Sequence, residues 1–445
     1  MGPIETALGL ALLSSFRGGT VFAPHAPMDL KPAVITTPST SLAYALHHAR
    51  RKSRTLRIVD VSEFYALRGG GVKRYTDQKL EAAERHGVHL TVIAPGPETR
   101  REARPGGAVQ WVAGPPMPLD PRYYVLHRRA LVNRHIRRCA PDVIEGSSVW
   151  SAGWFAATYP GKAKRALVYH QDPVAVYPHT LFDRFLSRER LDGLCMPYWS
   201  YLRRLSKRFD ATVVAGDWLG ERLKRHRIER TLSVPFGAPQ RTRIPGADAR
   251  AHWLAKTGAG ERGELLIAIS RHHPEKRLGT VFRAFEMLRA RRSRPLGLVL
   301  FGDGPMRRFV ERFAPEGVHV AGYTNSLDEL DAALEAGDAF LHGGAAETYG
   351  LVVAEALAAG LPVVVPNVGG AADLAEPSYA ETYEPGDAAD CARAVERLLA
   401  RDPNALRAAA RAKRLRTLSE HFDDLFARYD ALAGGRSPAQ AITSA

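Results

Sequence analysis

His342-Gly343-Gly344-Ala345-Ala346-Glu347-Thr348-Tyr349-Gly350-Leu351-Val352-Val353-Ala354-Glu355-Ala356-Leu357 follows an apolar triplet, Ala339-Phe340-Leu341, that reads as a buried strand. The pattern predicts a helix from about Tyr349 to Ala359. Pro362 to Val365 gives the next strand at once, and Gly369-Gly370 the next loop. Strand, loop, helix and strand in this order make an α/β unit. Glu347 falls in the loop before the helix and Glu355 inside it.

A helix start presents N–H groups without partners and the positive end of a dipole, and both favour an anion. Gly350 lets the backbone come close to a ligand. With the helix running from Gly350, Glu355 sits roughly 7 Å further along the axis, at about 1.5 Å per residue. A phosphate at the helix start is then flanked by two carboxylates. Carboxylates repel phosphate but accept hydrogen bonds from hydroxyls. A ligand with hydroxyls on both sides of a diphosphate is a nucleotide sugar. A surface glutamate and a helix glutamate with no ligand would give the same letters.

Glu347 and Glu355 form an E-x7-E pair, which continues as Glu355-Ala356-Leu357-Ala358-Ala359-Gly360-Leu361-Pro362-Val363 and then Gly369-Gly370. In these residues the chain resembles the retaining glycosyltransferases of family 4. The resemblance implies an α/β architecture of the GT-B type, two Rossmann-like domains whose parallel sheets face a central cleft. It spans roughly residues 56–433 and is strongest over 265–375.

A chain of 445 residues has room for two cores. No apolar run approaches the roughly 18 residues needed to span a membrane. Cys139, Cys195 and Cys391 are scattered and odd in number, which fits a reducing compartment and argues against a disulfide framework. The expected location is therefore cytoplasmic. The net charge of +15 is uneven: residues 1–240 hold 36 Lys and Arg against 20 Asp and Glu, the remainder 26 against 27. That excess implies an anionic partner for the first half, such as a membrane surface, or solvated basic faces. No interleaved basic–aromatic module for nucleic acid is present.

Taken in order, four parts are expected. Residues 1–55 form a loose extension with a helix from Leu42 to Arg51. Residues 56–237 form the basic, acceptor-binding domain, and 238–415 the nucleotide-sugar domain. Residues 416–445 hold a helix that crosses back to the first domain, plus a tail. In the first domain, strands are expected at Leu56–Val61, Val88–Ala94, Asp142–Ile144, Ala166–Tyr169 and Thr212–Ala215. Helices are expected from Val72 to Arg85 and, basic and amphipathic, from Pro121 to Arg138. Gly69-Gly70-Gly71 lacks the G-x-G-x-x-G spacing, and Ala94-Pro95 stands where a ribose-binding acid would close the second strand, which disfavours a dinucleotide enzyme. The resemblance makes Gly70 and Gly71 backbone contacts to donor phosphates. In the second domain, strands are expected at Leu265–Ser270, Leu298–Phe301 and Val318–Ala321. The last helices are expected over Ala388–Ala400 and Leu406–Ala431.

His170 ends a parallel strand, where ligands bind in open α/β sheets. Taken alone it reads as a structural histidine; the resemblance brings it near the donor sugar. Arg271 and Lys276, after the first strand of the second domain, match the family's R-x4-K and can hold a diphosphate, Arg by its planar fork and Lys as a point charge. The resemblance gives Gly350, Leu351 and Val352 to the same diphosphate, Glu347 to sugar hydroxyls, Glu355 to the ribose, and Gly322 and Tyr323 to the surroundings of the nucleobase. Phe236 stands where the family has Asn. No Asp-x-Asp pair occurs, so no metal and no cofactor are expected. The implied reaction moves a sugar from a nucleoside-diphosphate sugar to a hydroxyl of a sugar or lipid-linked acceptor, with retention. Glu347 and His170 are its catalytic candidates. Alternatives are an epimerase or phosphorylase on the same fold, or a non-catalytic basic protein that binds membrane or nucleic acid.

Overall fold

The computed structural model describes residues 55–67, 71–118, 120–238, 248–324 and 326–434. Residues 1–54 of the expected extension, with the helix Leu42–Arg51, lie outside the described residues, as do Gly69 and Gly70.

Two sheets account for the architecture. The first uses β1 (Arg57–Val61), β2 (His89–Gly96), β3 (Arg101–Arg104), β4 (Gly107–Ala113), β7 (Val143–Gly146), β8 (Lys164–Val168), β9 (Ala211–Val214) and β10 (Thr231–Ser233). Their spatial order is β10-β9-β8-β7-β1-β2-β4-β3. All pairings are parallel except β3 with β4. The second sheet is wholly parallel, in the order β13-β12-β11-β14-β15-β16. Its strands are β11 (Glu264–Ile269), β12 (Leu296–Phe301), β13 (Val318–Gly322), β14 (Ala339–Leu341), β15 (Val363–Pro366) and β16 (Ala380–Tyr383). β12 and β15 are buried at every position, as parallel strands covered on both faces must be.

Each sheet reverses its order once, between β7 and β1 in the first and between β11 and β14 in the second. At such a reversal the two adjacent connections leave on opposite faces, which opens a crevice beyond the carboxyl ends of the strands. The segment carrying Arg271 and Lys276 leaves β11, and the loop carrying Glu347 leaves β14. The sheet order alone therefore brings these three residues to one crevice.

Two expected elements take another form. The basic helix from Pro121 to Arg138 is a strand, β6 (Asp120–Tyr124), paired antiparallel with β5 (Pro116–Met117), followed by a shorter helix Arg129–Cys139. Pro121, Tyr123 and Tyr124 suit an edge ribbon, and the apolar spacing that suggested a long helix belongs only to the second part. The helix expected over Leu406–Ala431 is two helices, Pro403–Ala412 and Leu418–Ala433. Thr417 and Glu420 form a capping box that starts the second one afresh.

That second helix lies on the first sheet. Phe422, Leu425, Phe426 and Tyr429 enter the same buried cluster as Ile58, Leu90, Val92 and Val213. Tyr429 donates its hydroxyl to Glu145 Oε2 at 3.0 Å. Glu145 belongs to a fully buried group: Lys79 Nζ reaches Asp60 Oδ2 at 2.9 Å and Glu145 Oε1 at 2.6 Å, and Ser147 Oγ donates to Asp60 at 2.7 Å. The chain thus returns from its second sheet to close a polar knot in the core of its first.

Candidate active site

β14 ends at Leu341, and the next residue, His342, is buried, with its backbone oxygen accepting from the Tyr383 hydroxyl at 2.7 Å. Gly343 and Gly344 then pass against the Lys276 segment. A Cβ on Gly343 would strike the Lys276 carbonyl, and one on Gly344 would lie 2.9 Å from His342 Nε2. The glycines thus let two loops from different strands run in contact. The result is an ion pair, with Lys276 Nζ 2.6 Å from Glu347 Oε1.

The pair sets both charges. Burial by itself would raise the Glu347 carboxyl, but the Lys276 ammonium and then His342 outweigh it and hold the carboxyl well below the usual range. Burial would lower Lys276, but Glu347 and Glu275 outweigh it and raise the ammonium above its ordinary value. Glu347 is thus an anion and Lys276 a cation at neutral pH. The Glu347 carbonyl accepts from Gly370 N–H at 2.7 Å, which ties its loop to Gly369-Gly370.

Gly350 caps the following helix, Leu351–Ala358, at φ +91°, a conformation open to glycine at little cost. No side chain caps this start. Its internal ladder begins with Val353 and Ala354, whose N–H groups donate to Gly350 O at 2.9 and 3.0 Å. The N–H groups of Leu351 and Val352 precede that ladder. Glu355 sits half-buried within the helix. Arg271 is exposed beyond β11, three residues before the short helix Pro274–Lys276. Gly322 closes β13 at φ +81°, and Tyr323 beyond it is 69% exposed.

The first domain meets this loop directly. Thr348 donates its hydroxyl to the His170 carbonyl at 3.2 Å. His170 is half-buried, packed edge-on against Tyr75 with 5.6 Å between ring centres. Burial, more than the opposing charges of Asp60 and Lys79, pulls its pKa down to about 4. Tyr75 and Tyr349 both pack against Phe236, which acts here as an aromatic wedge between the two halves. Gly71 begins the helix Gly71–Arg85 and is exposed, while Gly70 lies outside the described residues.

Other residues joining the domains were not singled out from the sequence. Arg277, in the left-handed region at φ +48°, donates to Asp183 Oδ2 at 2.6 Å and to the His179 carbonyl at 3.2 Å. Trp218 N–H donates to Asp373 Oδ2 at 2.8 Å. A cavity of about 370 Å³ lies between the domains, bounded by His179, Arg188, Trp218 and Arg277 and by Ala345 and Val368. Among the described residues, no group of three or more His, Cys, Asp or Glu is arranged to hold a metal ion. No described helix is long and apolar enough to cross a membrane.

Comparison with known proteins agrees with this geometry. Residues 69–234 match the family described as Glycosyltransferase Family 4, and residues 249–415 match Glycosyl transferases group 1. The chain is 31% identical over 241 residues to a GDP-mannose-dependent alpha-mannosyltransferase of Mycolicibacterium smegmatis, covering 54% of this chain and 62% of that protein. It is 29% identical over 279 residues to the sulfoquinovosyl transferase SQD2 of Arabidopsis thaliana, covering 59% of this chain and 51% of that protein. The chain thus spans only about half to three-fifths of these relatives' lengths. Among solved structures, sucrose-phosphate synthase from Thermosynechococcus elongatus superposes with a TM-score of 0.62 at 19% identity, over 88% of this chain and all of that one. With the two family matches falling one on each sheet domain, the chain belongs to the family 4 glycosyltransferases and has their GT-B fold.

Proposed function

We propose that this protein transfers a sugar from a nucleoside-diphosphate sugar to a hydroxyl of a sugar or lipid-linked acceptor, with retention at the anomeric carbon. The observation that carries the reading is the convergence of the Lys276–Glu347 pair and the uncapped helix start at Gly350 on the crevice between β11 and β14. As the anomeric bond breaks, negative charge grows on the leaving diphosphate. Arg271, Lys276 and the N–H groups of Leu351 and Val352 supply fixed positive charge and dipoles for it. In this reading they do so without a metal, and no cofactor takes part. Gly71 approaches the same phosphates from the first domain; Gly70, which the resemblance gives the same role, lies outside the described residues.

Glu347, held anionic by Lys276, accepts from donor-sugar hydroxyls, and Glu355 from the ribose. Gly322 and Tyr323 border the nucleobase. His170, neutral at pH 7, orients the sugar from the other domain. A same-face displacement, with the leaving phosphate taking the acceptor proton, fits a Glu347 whose carboxylate is already paired. The interdomain cavity beside Ala345 receives the acceptor, and contact between the domains there excludes water. Relatives named for GDP-mannose make GDP the first nucleotide to try. We place the protein in the cytoplasm, where the basic first half attracts it to anionic membrane and so to a lipid-linked acceptor.

A thermal-shift panel of UDP, GDP and ADP in EDTA tests the reading. At a hundredfold excess over its dissociation constant, a ligand adds about 2.7 kcal/mol. A shift with one nucleotide in wild type, lost in Lys276→Ala, is expected. No shift with any of the three would overturn it. Sedimentation with anionic vesicles at low salt tests the membrane part, which fails if the protein stays in the supernatant.

A further inference from the structure

His342 takes no part in the sugar transfer proposed above beyond helping to hold the Glu347 carboxyl ionised, yet its position is costly. It is 1% exposed. Its backbone is fixed on both sides: N–H donates to Val364 O at 2.9 Å, and C=O accepts from Tyr383. Its ring lies parallel to Phe340, at an interplanar angle of 12°. Its Nε2 is 3.2 Å from Glu347 Oε1, within reach but off the line of a formed hydrogen bond. No other partner meets this buried atom among the described residues. A buried polar atom left in this state costs free energy, so an apolar side chain would serve packing better. Gly344 keeps the space open, since a Cβ there would come within 2.9 Å of the same nitrogen.

We propose that His342 is a positioning residue for Glu347: its Nε2–H donates to the carboxylate and aims it at the hydroxyls of the donor sugar. This rests on the nucleotide-sugar reading above. Lys276 alone is a poor guide for the carboxylate. It is a point charge on a flexible stem, it also faces Glu275 at 3.5 Å, and a bound diphosphate draws on the same ammonium. His342 is rigid, sits behind the loop, and takes no part in phosphate binding. It keeps one oxygen of Glu347 fixed while Lys276 turns to the diphosphate, leaving the other oxygen for the sugar. The ring must then be the tautomer protonated on Nε2.

The test compares nucleoside diphosphates with their sugar forms, using GDP against GDP-mannose and UDP against UDP-glucose by titration calorimetry. The quantity read is the gain in affinity that the sugar brings. Wild type should show a gain with one pair. His342→Leu should lose about tenfold of it, the worth of a hydrogen bond to a charged group, while keeping its affinity for the bare nucleotide. His342→Gln, whose side-chain amide can reach Glu347, should restore most of the gain. A purely structural role would instead lower both affinities together in both variants, and that result would overturn the proposal. So would equal gains in all three proteins, or no gain in wild type with either pair. Failure of wild type to bind any of GDP, UDP and ADP would overturn the underlying reading as well.

Discussion

Lys276 and Glu347 lie on the segments that follow different strands, β11 and β14, 71 residues apart in the chain, and meet at 2.6 Å in a part-buried crevice. Each keeps the other ionised against the penalty of burial. Glu347 is depressed, so its contribution is complete above the unfolded carboxyl value of about 4.3 and is lost as pH falls through the lower folded value. Lys276 is raised, so its contribution is complete below about 10.4 and is lost as pH rises through the higher folded value. Lys276→Met leaves a buried carboxylate without its cation and should cost roughly 3 kcal/mol at pH 7. The difference from wild type, followed by urea unfolding, should shrink towards pH 2. A difference independent of pH would mean that the lysine acts through packing.

Gly350→Ala should act twice. A left-handed backbone at φ +91° costs a non-glycine residue about 1–2 kcal/mol. The new Cβ would also lie 3.1 Å from Ala371 Cα. Thermal unfolding should show the loss, and nucleotide affinity should fall with it, because the same residue sets the helix start. A variant as stable as wild type would contradict the strained geometry.

The C-terminal helix should be a large contributor to the first domain. Phe422→Ala is expected to cost about 3–5 kcal/mol and Thr417→Ala about 1 kcal/mol. Tyr429→Phe, which strips Glu145 of one buried donor, should cost about 1–3 kcal/mol. Urea unfolding of the three variants checks the ranking. An order with Thr417→Ala worst would mean that capping, and not burial against the first sheet, holds this helix.

His170 and His421 are both pulled down to about 4, chiefly by burial. Between that value and the unfolded value of about 6.5, the unfolded chain binds more protons, so stability should fall as pH falls through this window. His421→Gln should flatten the slope by about one proton, read from unfolding free energies between pH 4.5 and 6.5. Catalysis should show no break near pH 6.5 from His170, because the ring is already neutral there. A break at 6.5 that vanishes in His170→Gln would contradict its burial.

In the second sheet β11, β12, β14 and β15 were legible as apolar runs and β13 was read in spite of His319, whereas β16, Ala380-Glu381-Thr382-Tyr383, is half polar and was missed. Leu265–Ser270 and Ala339–Leu341 fall within a residue of β11 and β14. In the first domain, β3, β4, β5 and β10 were missed. Arg101–Arg104 alternates charge as an exposed edge strand does, and Gly107–Ala113 lies too close behind it to read as separate. The residues of the crevice were legible from motif and resemblance. What was not legible is what the sheet order brings together from far apart: His342 beneath Glu347, Arg277 against Asp183, and the buried knot of Lys79, Asp60, Glu145 and Tyr429. A lysine inside a helix, as Lys79 is, reads as solvated surface until the partners on β1 and β7 are known. Thr417-x-x-Glu420 was a readable helix start, and it alone would have divided the long C-terminal helix.

The central claim is that a nucleoside diphosphate lies between Lys276 and the helix start at Gly350. A crystal structure with the nucleotide that gives the largest thermal shift tests it most directly. Phosphate oxygens are expected within hydrogen-bond distance of Lys276 Nζ and of the Leu351 or Val352 N–H, at about 2.7–3.2 Å. A nucleotide bound elsewhere, with the Lys276–Glu347 pair untouched and the helix start facing only solvent, would contradict it.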